Sequence, residues 1–287
     1  MTSAEASPAT AFSLTPAARE AGPLVFASPH SGDHRPADLN ADACDDLYSL
    51  RSAEDALVDQ LIASGPDHGA PLLKGLVSRV YIDLNRDPRE LDPALIADCP
   101  PGPVTAKTAA GFGVAPRRAG DGAPLYNRSL SLAEVQARLG AVHAPYHQAL
   151  AELMQTAHQT HGRAILIDWH SMPARAAGGK GRATPGVDVV LGDRHGSSCD
   201  ARLTRRVRAL FEAAGWRVSL NQPYAGGYST QVWGRPDQGF QAIQIELNRA
   251  LYLNETTLEP SPDFKRCQAV IARVIAALCA QPLAPER

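Results

Sequence analysis

Short, continuous apolar runs constrain this chain more than any other feature: PLVFAS (23–28), VSRVYIDL (77–84), RAILID (163–168), VDVVLG (187–192), WRVSLN (216–221) and QAIQIEL (241–247). Runs that stay apolar instead of alternating belong to strands covered on both faces. Helical patterns separate them. SAEDALVDQLIASG opens on a Ser52 cap and stops at Gly65; SLAEVQARLGAV opens on a capping box of Ser131 and Glu134. CDARLTRRVRALFEAAG (199–215) is amphipathic, and DFKRCQAVIARVIAALCA (263–280) closes the chain. Strands alternating with helices predict an α/β layered fold around a largely parallel sheet.

The 287 residues carry 28 basic and 30 acidic side chains, a formal charge of −2. Such balance argues against a nucleic-acid or anionic-membrane partner, which would call for a basic stripe. No apolar run approaches the ~18–20 residues that span a bilayer, and MTSAEASPAT lacks the basic and apolar regions of a secretory signal. Five scattered cysteines (Cys44, Cys99, Cys199, Cys267, Cys279), never in CxxC, suit a reduced, cytoplasmic interior, so a metal here should be held by His and carboxylate. The whole chain reads as a single domain, 1–287, with residues 1–10 and 284–287 frayed. The Gly- and Pro-dense stretch 97–125 reads as a long loop or lid.

In open α/β sheets, ligands bind outside the carboxyl ends of the strands. Polar residues follow the apolar runs: Pro29-His30-Ser31-Gly32, Asn85-Arg86-Asp87, Trp169-His170-Ser171, Asp193-Arg194-His195 and Glu246. Two neutral imidazoles, His30 and His170, plus one carboxylate form a common catalytic zinc set. Asp33, Glu54 and Asp55 all lie near enough in sequence to supply the carboxylate, and spacing does not choose among them. Asp55 also fits a helix-capping pattern with Ser52. His143 and His147 (HAPYH) lack the Glu of HExxH and carry Pro145 between them, which reads as core or capping histidines. His158 and His161 suit a helix end. AAGFG (109–113) and YAGGYST (224–230) lack phosphate-loop spacing, and no GxSxG elbow is present.

Longer stretches carry a resemblance: SPHSG (28–32), SAEDALVDQL (52–61), SRVYIDLNRDPRELD (78–92), PYH (145–147), LIDWHSMP (166–173), TPGVDVVLGDRHGSSCD (184–200), NQPYAGGYST (221–230) and QAIQIELNRALYLNE (241–255). On these the chain resembles the N-formylglutamate amidohydrolase (deformylase) family. It is distantly similar to zinc carboxypeptidases and to the aspartoacylase/succinylglutamate-desuccinylase group. The resemblance implies a three-layer α/β/α fold with a mostly parallel or mixed sheet, zinc-carboxypeptidase-like. It implies one zinc per chain held by His30, Asp55 and His170, with Glu54 the alternate carboxylate. Glu246 would be general base and acid, and Arg79 the oxyanion partner. Asn85 and Arg86 would grip a substrate carboxylate, and Arg194 and Tyr228 would lie in substrate loops. The implied activity is hydrolysis of the formyl amide of N-formyl-L-glutamate in histidine degradation. The alternatives are a deacylase of another N-acyl amino acid or formylated amine, or a non-catalytic binder of acidic ligands. A small acidic substrate and a monomer or weak homodimer complete the expectation.

Overall fold

Strand pairing in the computed structural model, which describes residues 10–102, 104–178 and 186–280, places the apolar runs in one sheet. Its strands are β1 (Phe12–Thr15), β2 (Leu24–Ser28), β3 (Leu72–Gly75), β4 (Ala164–Met172), β5 (Val189–Gly192), β6 (Val218–Leu220) and β7 (Phe240–Asn248), in the order β1-β3-β2-β4-β7-β5-β6. The inner strands β3, β2, β4 and β7 run parallel. β1 opposes β3, and β5 opposes β7 while running parallel to β6, so the sheet is mixed. The ends expected to fray, apart from Thr10, lie outside the described residues.

The helices are α1 (Leu47–Arg51), α2 (Val58–Leu61), α3 (Ala106–Ala109), α4 (Leu132–Arg138), α5 (Ala144–His161), α6 (Ala201–Ala213), α7 (Tyr228–Trp233) and α8 (Phe264–Ala280). α2, α6 and α8 bury Leu61, Phe211 and Ile271 against Phe26, Ile167, Trp169, Ile243 and Ile245. α4 and α5 bury Val135, Tyr146, Leu150 and Met154 against Ala27, Leu73, Leu166 and Ala242 on the opposite face. The result is three layers, α/β/α. Among the described residues, no helix is long and apolar enough to cross a membrane.

The capping box at Ser131 and Glu134 starts α4. A π-turn over Leu139–His143 joins α4 to α5, since Pro145 cannot donate a helical N–H and the ladder loosens ahead of it. Three expectations need correction. Residues 77–84 form no strand. Their backbone is satisfied by loop partners, including Ser78 N–H to His34 O and Asp83 N–H to Val114 O, both 2.8 Å. Ser52 does not open a helix: Asp46 caps α1, Ser52 closes it, and only Val58–Leu61 of the expected helix forms. Finally, β5 runs against β7, which carries Asp193-Arg194-His195 away from the rim where Glu246 lies.

Candidate active site and metal centre

β4 and β7 build the floor of the site. Their register sets Asp168 beside Gln244 and His170 beside Glu246. Alternate residues of a strand share a face, so these four polar side chains form one patch. Ile167, Trp169, Ile243 and Ile245 turn to the apolar layer behind. On the polar side, Leu166 and Ala242 belong to the core beneath α5. His170 and Glu246 therefore stand inside strands, not after them.

His30 arrives from the end of β2. Asp55 comes from the irregular link between α1 and α2, fixed by its N–H to His30 O (2.9 Å). Leu57, two residues on, takes a left-handed φ of 65°, a strained conformation for a branched residue of the kind functional turns hold. Three atoms then face one point: His30 Nδ1, His170 Nδ1 and Asp55 Oδ2, with edges of 3.2, 3.0 and 3.4 Å. Donors about 2.0–2.2 Å from a tetrahedral ion lie roughly 3.3–3.6 Å apart, so the triangle, slightly tighter than that, can open onto a divalent metal with small side-chain shifts. The three residues are buried, and their donors all lie within 4.8 Å of one another. Glu54 is also buried but pairs with Arg51 at 2.9 Å, while Asp33 is exposed; neither joins the triangle.

The outer ends of both imidazoles face carboxylates. His30 Nε2 meets Asp83 Oδ1 at 2.7 Å, and His170 Nε2 lies 3.1 Å from Asp168 Oδ2. A proton on His30 Nε2 leaves its Nδ1 lone pair pointing inward, the tautomer a metal needs; Asp168 favours the same tautomer of His170, against the Asn85 Nδ2 that lies 3.2 Å from its Nε2. Asp55 keeps its second oxygen on Ser171 Oγ (3.1 Å) and Arg249 Nη2 (3.2 Å). Burial disfavours the Asp55 charge, yet His170 and His30 outweigh it and hold the carboxyl well below its usual range. Burial opposes charge on His170 too, but Asp168 and Asp55 hold it well above its usual range. A bound dication replaces that imidazole proton.

Glu246 receives one hydrogen bond, from Gln244 Nε2 to Oε1 at 2.7 Å. Burial, reinforced by Asp55, pushes its carboxyl up to about 7 against the pull of His170, Arg79 and Arg249. Arg79 donates to Asp83 Oδ2 at 2.7 Å. Burial works against its charge, but Asp83, Asp55 and Glu246 more than compensate and raise its pKa. His30, Asp55, Arg79, Asp83, His170, Ser171, Gln244, Glu246 and Arg249 line one cleft of about 280 Å³, together with Asn85, Arg86, Lys107, Phe112, Arg175 and Tyr224.

The sequence of the family described as N-formylglutamate amidohydrolase matches residues 22–253. The chain belongs to this family. N-formylglutamate deformylase of Pseudomonas aeruginosa is 31% identical over 236 residues, covering 81% of this chain and 83% of that protein. The Pseudomonas putida deformylase is 30% identical, covering 82% and 83%. The crystal structure of N-formylglutamate amidohydrolase from Ralstonia eutropha JMP134 shares 35% identity with a TM-score of 0.88, over 95% of this chain and 98% of that one. A gene product of Agrobacterium tumefaciens, 22% identical with a TM-score of 0.66 over 95% and 94%, shares the fold.

Of the site residues expected in this family member, His30, Asp55, His170, Glu246, Arg79, Asn85 and Arg86 converge on the cleft. Arg194 and Tyr228 do not line it. Arg194 stands behind the Ala225–Gly227 turn, its N–H on Ala225 O at 2.7 Å. Tyr228 packs on His143 and His147, with ring centroids 5.7 and 5.1 Å away. Of the two tyrosines in YAGGYST, Tyr224 is the one on the cleft. His143 and His147 serve as struts, bonded through Nε2 to Arg86 O (3.0 Å) and Leu84 O (2.8 Å). Burial and the neighbouring His143 push His147 down to about 4, so it stays neutral and donates at neutral pH.

Asp83, Asp168, Gln244 and Arg249 were not singled out from sequence. Strand alternation could have found Asp168 and Gln244, since D-W-H and Q-I-E repeat polar residues with period two. Asn85 is engaged as well as exposed to the cleft: its Oδ1 accepts from Ser229 N–H (3.1 Å), and its Nδ2 donates to Gln244 Oε1 (3.3 Å). Gly227 lets Asn85 lie there, since a Cβ at 227 would overlap the Asn85 amide. Gly227→Ala should displace Asn85 and lower kcat/KM by about a hundred-fold, the scale of a 1 Å misplacement. A wild-type rate from a variant of normal melting temperature would show that Asn85 needs no such fit.

Proposed function

We propose that this chain is a zinc-dependent amidohydrolase that cleaves N-formyl-L-glutamate to formate and glutamate. The observation that carries the proposal is the triangle of two imidazole nitrogens and one carboxylate oxygen, 3.0–3.4 Å on each edge, beside a buried glutamate. Named deformylases at about one-third identity support the substrate. His30, Asp55 and His170 would hold the zinc, and the two-nitrogen, one-oxygen donor set leaves a position for water or substrate. When bound, the ion supplies Lewis acidity and makes water a nucleophile near neutral pH.

The chain's own groups account for the rest. Glu246 Oε2 carries no hydrogen bond from the described residues, which leaves it to take a proton from the attacking water. The same carboxyl, now protonated, returns the proton to the amide nitrogen as the C–N bond breaks, leaving formate and a free amine. Arg79 spends N–H groups on Asp83 Oδ2 and Ala53 O (3.2 Å) and retains others for the developing oxyanion. One such donor is worth about 3–4 kcal/mol. Arg86, its Nε buried without a hydrogen-bond partner among the described residues, can grip a carboxylate. All five cysteines are free, which supports a cytoplasmic setting.

Release of free amine from N-formyl, N-acetyl and N-succinyl amino acids by the zinc-loaded protein tests this reading. N-formyl-L-glutamate should give the highest kcat/KM; preference for an acetyl or succinyl donor, or no turnover at all, would overturn it. A second test concerns Asp83, whose carboxyl Arg79 and His30 hold well below its usual range despite burial. Asp83→Asn should weaken zinc binding by roughly 10- to 100-fold, the usual cost of losing a ligand's outer partner. Competition with a chromogenic chelator reads this directly, and unchanged affinity would remove Asp83 from the design.

A further inference from the structure

The cleft holds more positive charge than the proposed chemistry uses. Arg79 and Arg249 are committed to Asp83 and Asp55. Arg118 and Arg175, also on the cleft, donate to Gly122 O (2.8 Å) and Gly120 O (3.1 Å). Lys107 has no carboxylate within ion-pair distance among the described residues, and Arg86 has only Glu90, at 3.8 Å. Lys107 sits on α3, in the stretch that sequence alone marked as loop or lid. That helix is tied to the segment carrying Arg86: Thr105, its cap, donates through Oγ1 to Glu90 Oε2 (3.1 Å). Phe112 N–H returns to Lys107 O (2.9 Å), Val114 N–H bonds Glu90 O (2.9 Å), and Asp83 N–H bonds Val114 O (2.8 Å). Lys107 is thus held beside Arg86 by backbone, with its Nζ 5.9 Å from the centre of the Tyr224 ring.

We propose that Lys107 and Arg86 form a two-cation clamp, one per carboxylate, that makes the cleft selective for N-formyl amino acids bearing a second, side-chain carboxylate. This rests on the deformylase reading and names the groups that set its specificity. Two like charges held together in a half-enclosed cleft repel each other, and a dianionic ligand removes that penalty. Burial and the Arg86 and Arg79 charges lower the Lys107 pKa more than Glu246 and Asp83 raise it. Lys107 is exposed yet lines the cleft, so a neutral side chain of the same length would forgo an ion pair there. Arg86 takes the carboxylate nearer the scissile amide, being on the segment bonded to the His30 partner Asp83; Lys107, on the outer wall, takes the distal one.

The test compares kcat/KM for N-formyl-L-glutamate and N-formyl-L-glutamine, which differ only in the distal group. The zinc-loaded wild type should prefer the glutamate substrate by at least tenfold. Lys107→Met should reduce that ratio by tenfold or more, chiefly through KM, and Lys107→Arg should restore most of it. Equal losses on both substrates in Lys107→Met, or a preserved ratio, would overturn the clamp while leaving the deformylase reading in place. A wild type that turns over both substrates equally would do the same. A zinc-loaded wild type inactive on both would overturn the two readings together.

Discussion

Glu246→Gln should retain the metal and lose roughly 100- to 10,000-fold in kcat on N-formyl-L-glutamate, the usual contribution of a general acid–base group. The amide keeps the size of the carboxyl and can still meet Gln244, so the β4–β7 register and the His30, Asp55 and His170 triangle stay in place. What disappears is the proton carrier. Glu246 is pushed up to about 7 by burial before any cation is counted. A dication nearby favours the ionised carboxyl and brings that value down. The base form is populated above the carboxyl's pKa, so kcat/KM should fall on the acidic side, with a midpoint at or below about 7 set by Glu246. That limb should vanish in Glu246→Gln. A variant that keeps wild-type turnover, or keeps the acidic limb on its residual rate, would assign the proton transfer elsewhere.

The second large effect concerns the triangle itself. His170→Ala should weaken metal binding by more than the ~100-fold that loss of an outer partner costs, and reduce turnover to background. His170 is the central strut: its Nδ1 lies 3.2 Å from His30 Nδ1 and 3.0 Å from Asp55 Oδ2. Its removal also leaves the buried Asp168 without its imidazole, while Asp55 keeps Arg249 and His30. An uncompensated buried charge costs about 3–5 kcal/mol, so lower thermal stability should accompany the lost metal. Treating the wild type with a chelator separates the two effects. Chelation should abolish activity with the polypeptide intact, and added zinc should restore it. Undiminished activity in His170→Ala would remove this residue from the chemistry.

The layered α/β architecture was legible because the apolar runs of β2, β4, β5 and β7 are buried, because Ser131 caps α4 in a recognisable pattern, and because the stretch that forms α6 is amphipathic. Strand length was not. RAILID and QAIQI were read as ending before His170 and Glu246, yet β4 and β7 continue to Met172 and Asn248. The sheet is apolar behind but opens into the cleft in front, so one face turns polar while the other stays greasy. Composition cannot separate that from a loop, although the period-two alternation can. Strand direction was equally hidden: nothing local tells VDVVLG to oppose β7, and the expected place of Arg194 on the rim failed on that point. The run at 77–84 looked like a strand because it is buried, but its burial serves a loop that delivers Arg79, Asp83, Asn85 and Arg86.

His30 and His170 were visible as candidates by type and position, while spacing left the carboxylate open and only the family resemblance chose Asp55. Asp33, Glu54 and Asp55 are equivalent in spacing, and only the turn at Leu57 and the Asp55 N–H bond to His30 O aim one of them at the imidazoles. The outer partners Asp83 and Asp168 carry no signature of their own, since each becomes meaningful only once the ring it faces is placed.

Crystallographic anomalous scattering at the zinc edge from the zinc-replete protein would test the central claim most directly. One zinc per chain should appear, bound by Nδ1 of His30, Nδ1 of His170 and a carboxylate oxygen of Asp55, with Glu246 facing the remaining position. Zinc held by other residues, or no bound ion under zinc-replete conditions, would contradict it.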